Sequence, residues 1–183
     1  MKRKNYIATP AQMEVRMSLQ ITVRFLQPLK GIIKMGYAEW SQTMGKRPAA
    51  LANSQVMKNA VTGRYPDMFV DPAKVVLSRG SLAPIRGAIE RMEQQRIKVA
   101  LYSEEDLPDG RSDDEVILYA YDPVSRMVWR NDETARRSDD AVYLEAISAK
   151  PGDELHLYLM VCDRERKKFA NSLYLGAWVV REN

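Results

Sequence analysis

The sequence predicts an α+β protein, an N-terminal helical segment followed by an antiparallel immunoglobulin-like β-sandwich. Two observations carry this. Apolar residues recur at four-residue spacing in the first third, and short alternating runs divided by turn dipeptides fill the rest. The texture changes after Gly63, where Tyr65-Pro66-Asp67 and Asp71-Pro72 signal turns. The expected division is therefore residues 1–66, a basic helical segment, and residues 67–183, a β-sandwich domain.

The elements follow in order. Thr9-Pro10 opens the first helix, with Thr as N-cap and Pro at the first helical position. Met13, Met17, Ile21 and Phe25 form its apolar row, and Val15, Leu19 and Leu26 widen that stripe. Pro28 ends or kinks the helix. A second helix runs from Leu29 to about Thr43, and a third follows Pro48, with Gly63 as its C-cap. Strands are expected at Val75–Leu77, around Ile97–Leu101, Val116–Tyr121, Met127–Arg130, Val142–Leu144, Leu155–Val161 and Leu173–Val179. Residues 85–95 have helical propensity but are read as a strand, like their neighbours.

Composition limits function. The 183 residues are 45% apolar and 28% charged, which excludes collagen, disordered tails and disulfide-rich mini-proteins. One cysteine excludes an intrachain disulfide and a thiolate zinc cluster. No apolar run is long enough to span a membrane, and MKRKNYIATP lacks the apolar core of a secretory signal. The chain reads as cytoplasmic at synthesis, with a virion or particle as its further destination.

The net charge of +4 hides a split. Residues 1–66 hold eleven Lys and Arg against Glu14 and Glu39, a balance of +9; the remainder has 17 basic and 22 acidic groups, a balance of −5. Such a split serves an anionic partner, or lets the two parts or two copies dock on each other. The residues expected to meet an anionic partner are Lys2, Arg3 and Lys4 in a basic arm, with Arg16 and Arg24 on the first helix.

Catalytic signals are missing. There is no phosphate-binding glycine loop and no nucleophile elbow. His156 and Cys162 share a predicted strand about 20 Å apart, too far for a nucleophilic pair. Cys162 reads as a small buried hydrophobe and His156 as a sheet-face residue. Seven carboxylates between Glu104 and Glu115 raise calcium binding, but Pro108 and Gly110 break an EF-hand pattern and a solvated acidic loop is expected. Ser78-Arg79-Gly80-Ser81 raises an anion-holding turn, but a bare turn is expected. Tyr37 and Trp40 read as core. Met13, Met17, Met35, Met44 and Met57 either pack the helices onto the sandwich or make an assembly face.

The run Thr9-Pro10-Ala11-Gln12…Arg16, with Phe25-Leu26-Gln27-Pro28-Leu29, resembles the opening of a Bacteroidota family known only as a domain of unknown function. The resemblance is most specific at Asn59–Leu82 and returns at Lys167–Trp178. Members of that family usually place a Gly-rich, strand-like segment ahead of the Thr-Pro-Ala-Gln run, where this sequence has only MKRKNYIA. The family has no assigned activity, so it implies no catalytic, cofactor or metal residue. The same run also resembles a motif in phage and prophage particle proteins.

The function expected is a non-enzymatic structural or interaction protein, a multi-copy particle component, with no cofactor, no metal and no small-molecule substrate. Its partner is another protein or a second copy. One alternative is nucleic-acid binding by the basic segment. Another is a carbohydrate- or surface-binding sandwich, which needs Trp129 or Trp178 on a loop or open face, although Trp178 falls in a predicted strand.

Overall fold

A computed structural model describes residues 9–93, 95–102 and 110–181. The first helix, α1 (Pro10–Leu26), starts where expected. The Thr9 side chain accepts from the Gln12 amide while the Gln12 side chain accepts from the Thr9 amide, a reciprocal cap that satisfies two orphan donors. Its inward face differs from the predicted stripe. Ser18, Thr22, Phe25 and Leu26 are buried, whereas Met13, Met17 and Ile21 are only half-buried. Val15, Leu19 and Val23 face solvent at 62%, 45% and 46% exposure. The two small polar side chains mislead a reading by hydrophobicity, because their value here is size rather than polarity. They sit where α1 packs on α4 (Pro48–Asn59).

The helix predicted from Leu29 to Thr43 is two, α2 (Lys30–Gly36) and α3 (Ala38–Met44). The break has its cause in a segment distant along the chain. The Gly36 carbonyl accepts the Arg79 amide at 2.9 Å instead of continuing the helical ladder, and a Cβ on Gly36 would lie 2.4 Å from the Leu77 oxygen. Tyr37, fully buried, then donates its hydroxyl to the Val76 carbonyl at 2.9 Å. Helix α4 ends at Asn59, short of Gly63, which turns the hairpin between β1 (Val61–Thr62) and β2 (Phe69–Val70) with φ +89°. The expected boundary at residues 66 and 67 falls within that hairpin.

Residues 71–85 run along the seam between the helices and the sheets. A 3-10 turn (Pro72–Lys74) opens this segment. Val75 and Leu77 are buried but do not form the predicted strand, because amides of this segment bond to side chains. The Val76 amide points to Gln55 Oε1 at 3.5 Å, and the Leu77 amide donates to Ser172 Oγ at 2.7 Å.

The remaining strands form two facing antiparallel sheets. One holds β3 (Arg86–Glu93), β4 (Arg96–Tyr102) and β8 (Ala141–Glu145) in the order β3-β4-β8. The other is ordered β10-β9-β5-β6, with β10 (Leu173–Val179), β9 (Glu154–Cys162), β5 (Glu115–Tyr121) and β6 (Val128–Arg130); β7 (Ala135–Arg136) also pairs with β5. This is the strand order of an immunoglobulin-like sandwich, with the chain crossing between sheets after β4, after β7 and after β8. Pairing with β4 settles residues 86–93 as strand despite their helical propensity.

The larger sheet is covered on both faces. Val116, Leu118, Leu157 and Leu159 meet Ile97, Val99, Val142 and Leu144 of the smaller sheet. Ile117, Tyr119, Tyr121, Tyr158 and Met160, on the opposite face, meet Phe25, Leu29, Ile33, Leu51 and Val56 of the helices. Strands β5 and β9 therefore read as nearly continuous apolar runs, as central strands buried on two sides must.

The close approach at Gly36 sets a first test. Gly36→Ala forces backbone apart and should destabilise the protein by about 1–3 kcal/mol. Gly31→Ala, on the same helix with open space around it, should be neutral or stabilising by about 0.5–1 kcal/mol. Denaturant unfolding of both variants measures the difference.

Candidate functional site

The charge split is not spent between the two parts. Their contact is apolar and aromatic, while Arg16, Arg24, Lys30, Lys34, Lys46, Arg47, Lys58 and Arg64 are all exposed. Among the described residues none of these eight cations takes part in an ion pair. Arg16 and Arg24 both face solvent on α1, though at about 100° per residue they stand roughly 80° apart around its axis. Lys2, Arg3 and Lys4 lie outside the described residues.

Glu39, one of the two acids in this part, is occupied internally. Its carboxylate accepts the Ser81 amide at 3.1 Å and the Phe169 amide at 2.8 Å. The Ser78–Ser81 segment is not the bare turn expected, because its Ser81 amide binds this carboxylate of α3. Arg79 lies 3.9 Å above the Trp40 ring, and Ser78 Oγ donates to the Ala170 carbonyl at 2.8 Å. Sequence reasoning missed Glu39 because nothing near it in sequence announces partners 42 and 130 residues away.

The sandwich, by contrast, pairs many of its charges. The acidic loop expected to be solvated is partly structural. Asp114 and Arg137 form a buried ion pair at 3.2 Å, and Arg137 also donates to the Ala83 and Pro84 carbonyls. Glu115 receives two hydrogen bonds from Arg166, each 2.8 Å, and one from Arg130 at 3.2 Å. Glu115 begins β5 and Asp114 immediately precedes it, so both are drawn toward the sheet rather than the open loop. Of the other five, Asp113 is exposed and Glu104, Glu105, Asp106 and Asp109 lie outside the described residues. Among the described residues no group of three or more His, Cys, Asp or Glu side chains is placed to hold a metal ion.

The remaining candidates are built into the fold. Burial and the nearby Glu115 push the Cys162 thiol up to about 12, so it stays protonated near neutral pH. His156 and Cys162 share β9, as expected, at its two ends. His156 Nδ1 lies 3.0 Å from the Tyr174 hydroxyl. Trp129 is buried and donates its indole N–H to the Ile147 carbonyl at 2.7 Å, so it offers no open sugar platform. Trp178 is half-buried on the edge strand β10. Tyr37 is core as expected, and Trp40 is half-buried under Arg79. Of the five methionines, Met44 is exposed and the other four are half-buried. Among the described residues no helix is long and apolar enough to cross a membrane.

With this geometry in hand, comparison places the chain. The pattern of a family of unknown function, DUF6266, matches residues 3–176. The chain belongs to that family. No curated protein matches this family member. Among solved structures, the twitchin kinase region of C. elegans is similar at 7% identity and a TM-score of 0.42, over 56% of this chain and 17% of that one. The FN1–FN3 domains of chicken CNTN1 are similar at 9% identity and a TM-score of 0.41, over 63% of this chain and 35% of theirs. The chain thus spans well under half the length of either. The assignment of the sandwich rests on its own strand order.

A pH test follows from His156. Burial lowers its pKa below the ordinary 6.5, against the opposing pull of Glu154, Asp122 and Asp71. The unfolded chain then binds the proton more readily than the folded one. Stability from this residue is full at neutral pH and declines as pH falls below about 6.5. The melting temperature of the wild type should drop more between about pH 7.5 and 5 than that of His156→Gln. Equal slopes would remove His156 from the account.

Proposed function

We propose that this protein is a non-enzymatic structural and interaction component that works in several copies within a phage- or prophage-type particle. The observation that supports it is the layer of exposed cations on the helices, none of the eight described ones in an ion pair, backed by a sandwich that pairs several of its own charges internally. A field of one sign with no internal partner attracts an anionic neighbour and raises its rate of encounter. Lys2, Arg3, Lys4, Arg16 and Arg24 are the residues assigned to that contact. The particle context rests on the resemblance of the Thr9–Arg16 run to particle proteins, and the bacterial or phage source is part of the same proposal.

Light scattering after size exclusion tests the reading. The chain should assemble, or retain an acidic protein partner, at about 0.1 M salt, where charges act over about 10 Å. Raising the salt to about 1 M, where that reach falls to about 3 Å, should dissolve the assembly. Arg16→Gln with Arg24→Gln should weaken it already at low salt. A monomer at both salts, with no partner retained on the immobilised chain, contradicts the proposal. Tight binding of duplex DNA, weakening by nearly one power of the salt concentration per phosphate contacted, would move the reading to nucleic acid.

A further inference from the structure

We infer that the groove where α1, α2 and α4 meet is the seat of an acidic amphipathic helix from a partner protein, an inference that rests on reading the helical layer as an interaction face. The groove encloses about 610 Å³. Its floor is apolar, made by Val23, Leu26, Ile33 and Pro48, and its rim carries Lys30, Lys34 and Arg47. No carboxylate lines it. It also does not end at Val23. Val15, Leu19 and Val23 make a ridge along α1 that leads into the groove, each at least 45% exposed. At 1.5 Å per residue that ridge adds about 12 Å of apolar track, a little over two turns of helix.

Three physical points select the occupant. An apolar track with anchors at helical spacing fits the apolar face of a helix laid into it. The cations on the rim have apolar stems that can wall the groove while their heads stay in water, where they await acids on the flanks of the incoming helix. A nucleic acid backbone satisfies the rim but has nothing to place on the floor, and a neutral helix satisfies the floor but leaves the rim unpaired. An acidic amphipathic segment meets both. The apolar contact supplies part of the affinity, while the charges set orientation and partner choice.

Peptide binding to the full chain tests this. The probe is a fluorescein-labelled peptide of Leu and Glu at amphipathic helical spacing, compared with its Leu and Lys counterpart and with a scrambled Leu and Glu peptide that has no apolar face. The acidic amphipathic peptide should bind at least about tenfold more tightly than either control. Val23→Asp and Lys34→Glu each alter an exposed side chain and should each weaken that binding by about tenfold or more, with an unchanged melting temperature showing that the chain still folds. Equal binding of the scrambled peptide, no binding, or insensitivity to both variants overturns the inference. So does a dimer of the chain alone that Val23→Asp dissociates, which would make a second copy the occupant, and so does anionic-vesicle binding that Val23→Asp abolishes. If assembly at low salt persists while these variants leave it unchanged, the groove inference fails and the proposed function stands. If nothing assembles and no partner is retained, the proposed function itself fails.

Discussion

Everything in this molecule follows from one sheet that cannot face water on either side. Strands β5 and β9 carry aliphatic residues on one face and Ile117, Tyr119, Tyr121, Tyr158 and Met160 on the other. An ordinary sandwich buries only the inner face of each sheet and leaves the outer face polar. Here the outer face is aromatic, so a second cover is obligatory, and the helices supply it. Tyrosine suits this seam because its ring is apolar and its hydroxyl can still find a partner. Tyr121 donates to the Phe25 carbonyl at 3.0 Å, in the last turn of α1, and its ring packs edge-on to Phe25. Tyr158 donates to the Pro72 carbonyl at 2.9 Å. Each hydroxyl thereby finds a backbone acceptor inside the layer.

The same constraint decides where charge goes. A contact made of aromatic and aliphatic side chains has no room for unpaired ammonium or guanidinium groups, whose burial is costly. The cations of the helical layer are therefore displaced to its far side, and the exception proves instructive. Glu39 enters the seam because backbone amides of two loops meet it there. The +9 and −5 halves look complementary in sequence, yet their contact is not electrostatic. The cations of the helical layer stay on its surface.

Much of the architecture was legible because it is local. Thr9-Pro10 and Gln12 define a helix start through bonds three residues apart. Alternation in Arg96–Tyr102 gives a strand buried on one side. What escaped detection depends on contacts distant in sequence. Val75–Leu77 has the composition of a strand but its amides meet Gln55 and Ser172, and Gly36 breaks a helix because residues 77–79 lie against it. Ser18 and Thr22 look like a polar face until α4 is placed beside them. For the candidate site, the cations were visible by counting, whereas their freedom from internal pairing was not. The groove escaped for a related reason. Val15 and Leu19 read in sequence as part of the apolar stripe, and only the packing shows that they turn outward.

The central claim is that helices and sandwich form one cooperative structure because they share the sheet between them. The most direct measurement follows denaturant unfolding in two variants, each retaining one tryptophan. Trp129→Phe with Trp178→Phe leaves Trp40 as reporter of the helical layer; Trp40→Phe with Trp178→Phe leaves Trp129 as reporter of the sandwich core. In each variant the fluorescence transition is compared with that variant's own far-ultraviolet circular dichroism. The account predicts one coincident transition in both. A Trp40 signal lost at lower denaturant, with the strand signal and Trp129 still native, would show that the sandwich stands without its aromatic cover and would contradict the account.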